Sequence, residues 1–129
     1  MTVALTWIQV LAVAVGAAIG AVLRWLAGLW LNPQWYGFPL GTLLVNCVGG
    51  LLIGIALVWF DRVPNDLLRL ALVTGFLGGL TTFSAYSGES LSMMNRGQWG
   101  MAVAHTAAHV LGSLGCAAFG FRIARAVLT

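Results

Sequence analysis

The sequence predicts an all-α membrane protein, a single domain over residues 1–129 built from four transmembrane helices. Three observations predict it. Hydrophobic residues make up 60% of the chain and charged residues only 7%, against about a quarter in soluble domains. Residues 2–23, 40–60, 70–88 and 99–121 carry no charge, and each stretch is near the roughly 20 residues that cross the hydrocarbon as a helix. Short turn-forming segments separate these stretches.

The same composition excludes whole classes of function. Six arginines, no lysine and three acids cannot cover a water-facing surface, so a soluble globular domain is excluded. Six Trp and six Phe exclude a disordered chain. A net charge of only +3, with no basic run, excludes a nucleic-acid partner. No extramembrane segment is long enough to fold alone, so function must lie between the helices.

The first span is expected at about residues 3–31. Its N-terminus lacks the basic region of a signal peptide, and the apolar run continues past any cleavage site, which predicts a retained membrane helix. Gly16 and Gly20 are four apart, a spacing that lets helix backbones approach closely. Arg24 is a functional candidate as a charge near an apolar interior; snorkelling outward is the ordinary alternative. Asn32-Pro33 and Gly37 to Pro39 mark the turn that follows.

The second span is expected at about residues 40–60. Asn46 lies at its middle, with Thr42 one turn away on the same face. A carboxamide in hydrocarbon needs partners: it can donate to an anion or glue helices together. Gly50 and Gly54 repeat the packing spacing. Cys47 here and Cys116 in the last span sit in apolar runs, far from any metal spacing, and read as free thiols. Asp61 to Asp66, with Pro64 between them, closes the span.

The third span, about residues 66–94, is the unusual one. Its centre reads Thr74-Gly75-Phe76-Leu77-Gly78-Gly79-Leu80-Thr81-Thr82-Phe83-Ser84. Adjacent glycines beside two threonines are poor for a continuous helix, so a break is expected at Gly78–Thr81. Freed carbonyls at such a break coordinate cations, and half-helix N-termini favour anions. A glycine packing face in an unbroken helix is the alternative. Phe83 and Tyr86 share a helix face, and a ring edge aimed into a polar path attracts an anion. Glu89 is the remaining intramembrane charge, near the span's end.

The fourth span, about residues 98–125, follows the turn Asn95-Arg96-Gly97. His105, His109 and Ser113 step by four and make a polar stripe on one face. Two His are too few for a tight metal site, and no Cys or carboxylate lies near in sequence. A hydrogen-bonding track along a pore fits the stripe best, and titration of these His adds positive charge at low pH. Trp7, Trp25, Trp30, Trp35, Tyr36, Trp59 and Trp99 lie mostly near span ends, as interfacial belts do.

The chain resembles the Fluc (CrcB) family of bacterial fluoride channels from end to end. The resemblance rests on Gly20-Ala21-Val22-Leu23-Arg24-Trp25, on Gly41-Thr42-Leu43-Leu44-Val45-Asn46, and above all on Thr74 to Ser84, in this order and spacing. It implies fluoride export across the bacterial inner membrane by a homodimer whose subunits insert antiparallel among the lipids. It implies two pores and one structural sodium ion at the dimer interface, held by the backbone carbonyls of Gly78 and Thr81 of each subunit. Pore-lining phenylalanines match Phe83 and, three on, Tyr86; the pore Asn matches Asn46. Arg24 matches the family's first-span Arg, and Glu89 a vestibule acid. Tyr86 departs from the usual Phe and brings a hydroxyl to the path. His105 and His109 replace two hydroxyl residues of the family's fourth-helix track, leaving Ser113.

The donors along Asn46, Phe83, Ser84 and the fourth-span stripe suit a small, strongly hydrated anion without a fixed cation to trap it. A four-helix proton-coupled antiporter needs a deep carboxylate, typically in the first span, where only Arg24 is charged. A non-transporting assembly subunit would not need the Gly-Gly-x-Thr-Thr segment. No nucleophile–base pair supports an enzyme.

Arginine placement tests the expected topology. Arg62, Arg69, Arg122 and Arg125 lie on the side of the termini, against Arg96 and Arg24 on the other, a weak bias. A C-terminal reporter on the unmodified protein is expected on both sides of the membrane. Lysines added near one end should drive it to one side.

Overall fold

The computed structural model describes residues 4–34 and 37–129, all of whose regular structure is helical. Four helices are long and apolar enough to cross a membrane: Trp7–Leu31, Leu40–Arg62, Asp66–Asn95 and Trp99–Leu128. Trp35, Tyr36 and the expected start of the first span at residue 3 lie outside the described residues.

The first three helices begin where a side chain can take up orphaned amides. The first starts at Trp7, later than expected, because Thr6 closes a capping box with Gln9. The second starts behind Pro39, which has no capping side chain; Asn32 supplies it from the preceding turn, its Oδ1 accepting from Gly41 N–H (2.8 Å) and Thr42 N–H (3.2 Å). Asn65 caps the third by accepting from Leu68 N–H. Gly97, at φ +75°, turns the chain into the fourth, a left-handed conformation that glycine adopts without strain. That helix runs to Leu128, past the expected end at residue 125.

The third span changes form along its length. Asp66–Arg69 is α-helical, Leu70–Leu77 winds more loosely as a π-helix, and Gly78–Leu80 returns to the α form. Thr81 (φ −88°, ψ 156°) and Thr82 (φ −153°, ψ 124°) are extended, and helix resumes over Phe83–Asn95. The departure from helix therefore falls at the two threonines and not at the glycines. Gly78 and Gly79 stay helical because Gly79 packs on the first helix, where a Cβ would collide with the Ala17 carbonyl. The threonines leave because β-branched residues favour extended backbone and both hydroxyls find local partners. Thr81 Oγ1 donates to Leu77 O, and Thr82 Oγ1 accepts from Ala85 N–H.

The first helix packs chiefly on the first half of the third, and the second helix on the fourth. Both seams are backbone on backbone. A Cβ on Gly20 would overlap Phe76 O; one on Gly54 would overlap Ala117 O, and one on Gly120 would overlap Leu51 O. The core is small, centred on Val45, Leu77 and Leu80. Large apolar side chains such as Leu11, Ile19, Leu111 and Phe119 face outward, as a lipid-facing surface requires. Trp7, Trp25, Trp30, Trp59 and Trp99 are also exposed.

The glycine seams yield a direct check. Gly54→Ala should lower unfolding free energy in detergent by about 1–3 kcal/mol, the usual scale of overpacking. Gly100→Ala, with open space around it, should stay within about 0.5 kcal/mol of the parent.

Candidate functional site

The extended backbone at Thr82 is held by one side chain. Asn46 Oδ1 accepts from Thr82 N–H (2.8 Å), and Asn46 Nδ2 donates to Thr82 O (3.0 Å). A carboxamide presents a donor and an acceptor side by side, as a peptide group does, so it pairs with Thr82 as a neighbouring strand would. This rearranges the helical ladder. The amide that would serve Gly78 O, that of Thr82, goes to Asn46; the amide that would serve Thr81 O, that of Ala85, goes to the Thr82 hydroxyl. Gly79 O accepts from Arg24 Nε at 3.0 Å. Arg24 thus reaches inward to a helix end, where the sequence also allowed an outward snorkel.

A second polar group spans the helices beside the Asn46–Thr82 pair. His105 and His109 are buried, at 0% and 5% exposure. His105 Nε2 lies 3.0 Å from Glu89 Oε1, and its Nδ1 lies 2.8 Å from Ser90 Oγ. Thr42 Oγ1 donates to Glu89 Oε2 at 2.5 Å. Asn46 Nδ2 also meets His109 Nδ1 at 3.1 Å. Rings frame the row: Tyr86 stacks on His105 with centroids 5.2 Å apart, and Phe38 sets its ring edge-on to His105 at 5.5 Å. The Tyr86 hydroxyl is tied back, donating to Thr106 Oγ1 at 3.1 Å.

Two depressions flank this row. One, of about 540 Å³, is lined by Asn46, Phe83, Tyr86, His109 and Ser113, together with Gly78 and Thr81. Phe83 is 78% exposed beside it and contacts Tyr86 at a ring separation of 5.2 Å. The other, of about 620 Å³, is lined by Pro39, Gly88, Glu89, Ser92 and Arg96. Thr42 and His105 lie between the helices, behind these surfaces. Ser84 is exposed, its hydroxyl 3.1 Å from that of Thr82.

Sequence spacing missed several partners. Glu89 joins the histidines although no acid lies near them in the chain; the carboxylate comes from another helix. With His105 and His109 it offers three ligating atoms within 4.8 Å, which corrects the expectation of only two. Asn32 read only as a turn residue, and Ser90 and Thr106 carried no signal beyond being hydroxyls. The lining of the first depression offers amide, hydroxyl and imidazole groups and ring edges, and no carboxylate or arginine. Such a surface can replace part of an anion's hydration without a fixed cation.

The family model described as CrcB-like protein, Camphor Resistance (CrcB), matches residues 11–121. The fluoride-specific ion channel FluC of Aromatoleum aromaticum is 53% identical over 113 residues, 86% of each chain. That of Bordetella petrii is 50% identical over 129 residues, covering 98% of this chain and 99% of its own. That of Pseudomonas aeruginosa is 49% identical over 110 residues, 84% of this chain and 87% of its own. The chain belongs to the CrcB family, as the motifs of its first three spans indicated, and is a multi-pass membrane protein.

The Asn46–Thr82 pairing should be structural. Asn46→Leu removes both bonds and strands the Thr82 backbone at membrane depth. Thermal unfolding in detergent should show a loss of roughly 2–5 kcal/mol, about one unsatisfied group's worth for each of two backbone atoms. A loss under about 1 kcal/mol would contradict the pairing's importance.

Proposed function

We propose that this CrcB-family chain forms a fluoride-selective channel for passive fluoride export across the bacterial inner membrane. The observation that carries the reading is the Asn46–His109 polar pair beside the exposed ring of Phe83, in a chain about half identical to proteins named as fluoride-specific channels. Fluoride is small and strongly hydrated. A path past Phe83, Tyr86, Asn46, His109 and Ser113 trades its water for N–H, O–H and ring-edge contacts, each weak enough to release it. Ser84, Thr42 and His105 extend this set, and Arg24 and Glu89 act near its ends. A negative-inside potential supplies the direction. At about 2.3 kcal/mol per charge for each 100 mV, it sustains an outward gradient of roughly fifty-fold.

In the same reading the active unit is an antiparallel homodimer with two pores. The groove at Asn46 and Phe83 is open on one side of a single chain, and a second copy would close it. One structural sodium ion fits this unit. Gly78 O and Thr81 O have both lost their ladder donors to side chains, so they are hard, neutral oxygens turned from helical service. Two such pairs, one from each subunit, suit a monovalent cation better than a divalent one. The ion would supply positive charge to the paired helix ends and hold the two chains in register.

The test is efflux from liposomes bearing purified protein. Fluoride should leave rapidly and chloride should not. Phe83→Ile should cut fluoride efflux several-fold while the protein still elutes as a dimer. Equal release of both ions would reject the channel reading, as would release of neither.

A further inference from the structure

One buried group is left without a hydrogen-bond partner. His109 is 5% exposed, it is one of the residues that line the depression with Asn46, Phe83, Tyr86 and Ser113, and its buried Nε2 has no hydrogen-bond partner among the described residues. Buried polar atoms are normally satisfied, so an exception marks either a strained site or the place of a ligand.

The protonation of this ring follows from its other nitrogen. Thr82 N–H points at Asn46 Oδ1, which fixes which end of the amide is oxygen. The nitrogen end therefore faces both Thr82 O at 3.0 Å and His109 Nδ1 at 3.1 Å. An amide nitrogen carries two hydrogens, and these two acceptors use both. His109 Nδ1 must accept, so the ring is neutral and its proton sits on Nε2. The unpartnered atom is a donor.

Two ligand chemistries compete for it. Glu89, His105 and His109 each bring one ligating atom within 4.8 Å of the others, which suggests a transition metal. A metal on Nε2 needs that nitrogen bare and drives the proton to Nδ1. There it would face the N–H of Asn46, donor against donor. Relief would require turning the amide over, which breaks both bonds to Thr82 where the helix is interrupted. The pairing with Thr82 thus disfavours the metal and leaves a donor, which suits an anion.

We infer that His109 Nε2–H is a binding donor for a small anion, and that Asn46 is the positioning residue that sets its tautomer. The anion is fluoride if the channel reading above holds, on which that identification rests. The donor works as a neutral group, so it attracts without holding a full opposite charge. Glu89 lies close, but both of its oxygens are engaged, by His105 and by Thr42. Its proximity keeps the anion weakly bound, as conduction requires.

The decisive measurement is nitrogen magnetic resonance on the full chain in lipid bilayers with labelled histidine. The His109 ring should be protonated at Nε2 and bare at Nδ1. Sodium fluoride should shift the Nε2–H signal, and sodium chloride at equal concentration should not. Asn46→Asp, which replaces the donating nitrogen by an accepting oxygen, should move the proton to Nδ1. In liposomes, His109→Phe keeps a ring but no donor and should lower fluoride flux about ten-fold or more, the worth of a hydrogen bond to an ion. His109→Gln should recover part of it. A wild-type ring protonated at Nδ1 would overturn the inference, as would an Nε2 signal that responds to micromolar zinc and not to fluoride. Wild-type liposomes that pass no fluoride reject the channel reading instead. The fluoride-induced shift, read on protein independent of flux, still decides the donor.

Discussion

Backbone at membrane depth must find hydrogen-bond partners within the protein, and in this chain that demand is concentrated on Thr82. The Asn46 amide meets it from the second helix. The arrangement around it depends on that pairing. It holds the second helix to the third at the point where the third leaves helical form. It takes the amide that Gly78 O would use. It lets the Thr82 hydroxyl cap the next stretch, so that Phe83 opens a new helix beside the depression. It also spends its last hydrogen on His109.

Much of this was legible in the sequence, and the reasons are physical. Four uncharged stretches of membrane length can only be spans, and four were found. Intramembrane polar residues are too costly to be incidental, which singled out Asn46, His109 and Ser113, and these share one depression with Phe83 and Tyr86. The position of the interruption was less legible. Propensity pointed to a break over Gly78–Thr81; backbone contact with the first helix keeps the glycines helical, and the threonine hydroxyls place the extended backbone at Thr81 and Thr82. The Glu89–His105 contact could not be read from spacing, because helix pairing brings the acid to the histidine. Asn32 had a sufficient explanation as a turn residue and only the fold shows it capping the next helix.

The polar interior is otherwise closed. Glu89 is held at both oxygens, His105 at both nitrogens, and the Tyr86 hydroxyl by Thr106. A network satisfied this fully is rigid, since moving any member strands another. The stacked ring of Tyr86 and the edge-on ring of Phe38 add apolar walls beside His105. The two histidines of the fourth helix therefore do two different things. His105 is committed to its neighbours, and His109 is committed on one side only.

The pairing of helices has a consequence for how the chain is made. The first helix docks chiefly on the third, and the second on the fourth, so partners alternate along the polypeptide. When the ribosome has delivered the first two helices, neither has met its principal neighbour, and each shows lipid a strip of bare glycine backbone. Gly41 can meet the Ala27 backbone at once, but the long seam of the first helix forms only after the third inserts, and that of the second waits for the last. Docking is thus late and nearly simultaneous for the two pairs. A chain halted after its first hairpin would hold only the short Gly41–Ala27 contact and neither long seam, leaving its glycine strips bare to lipid.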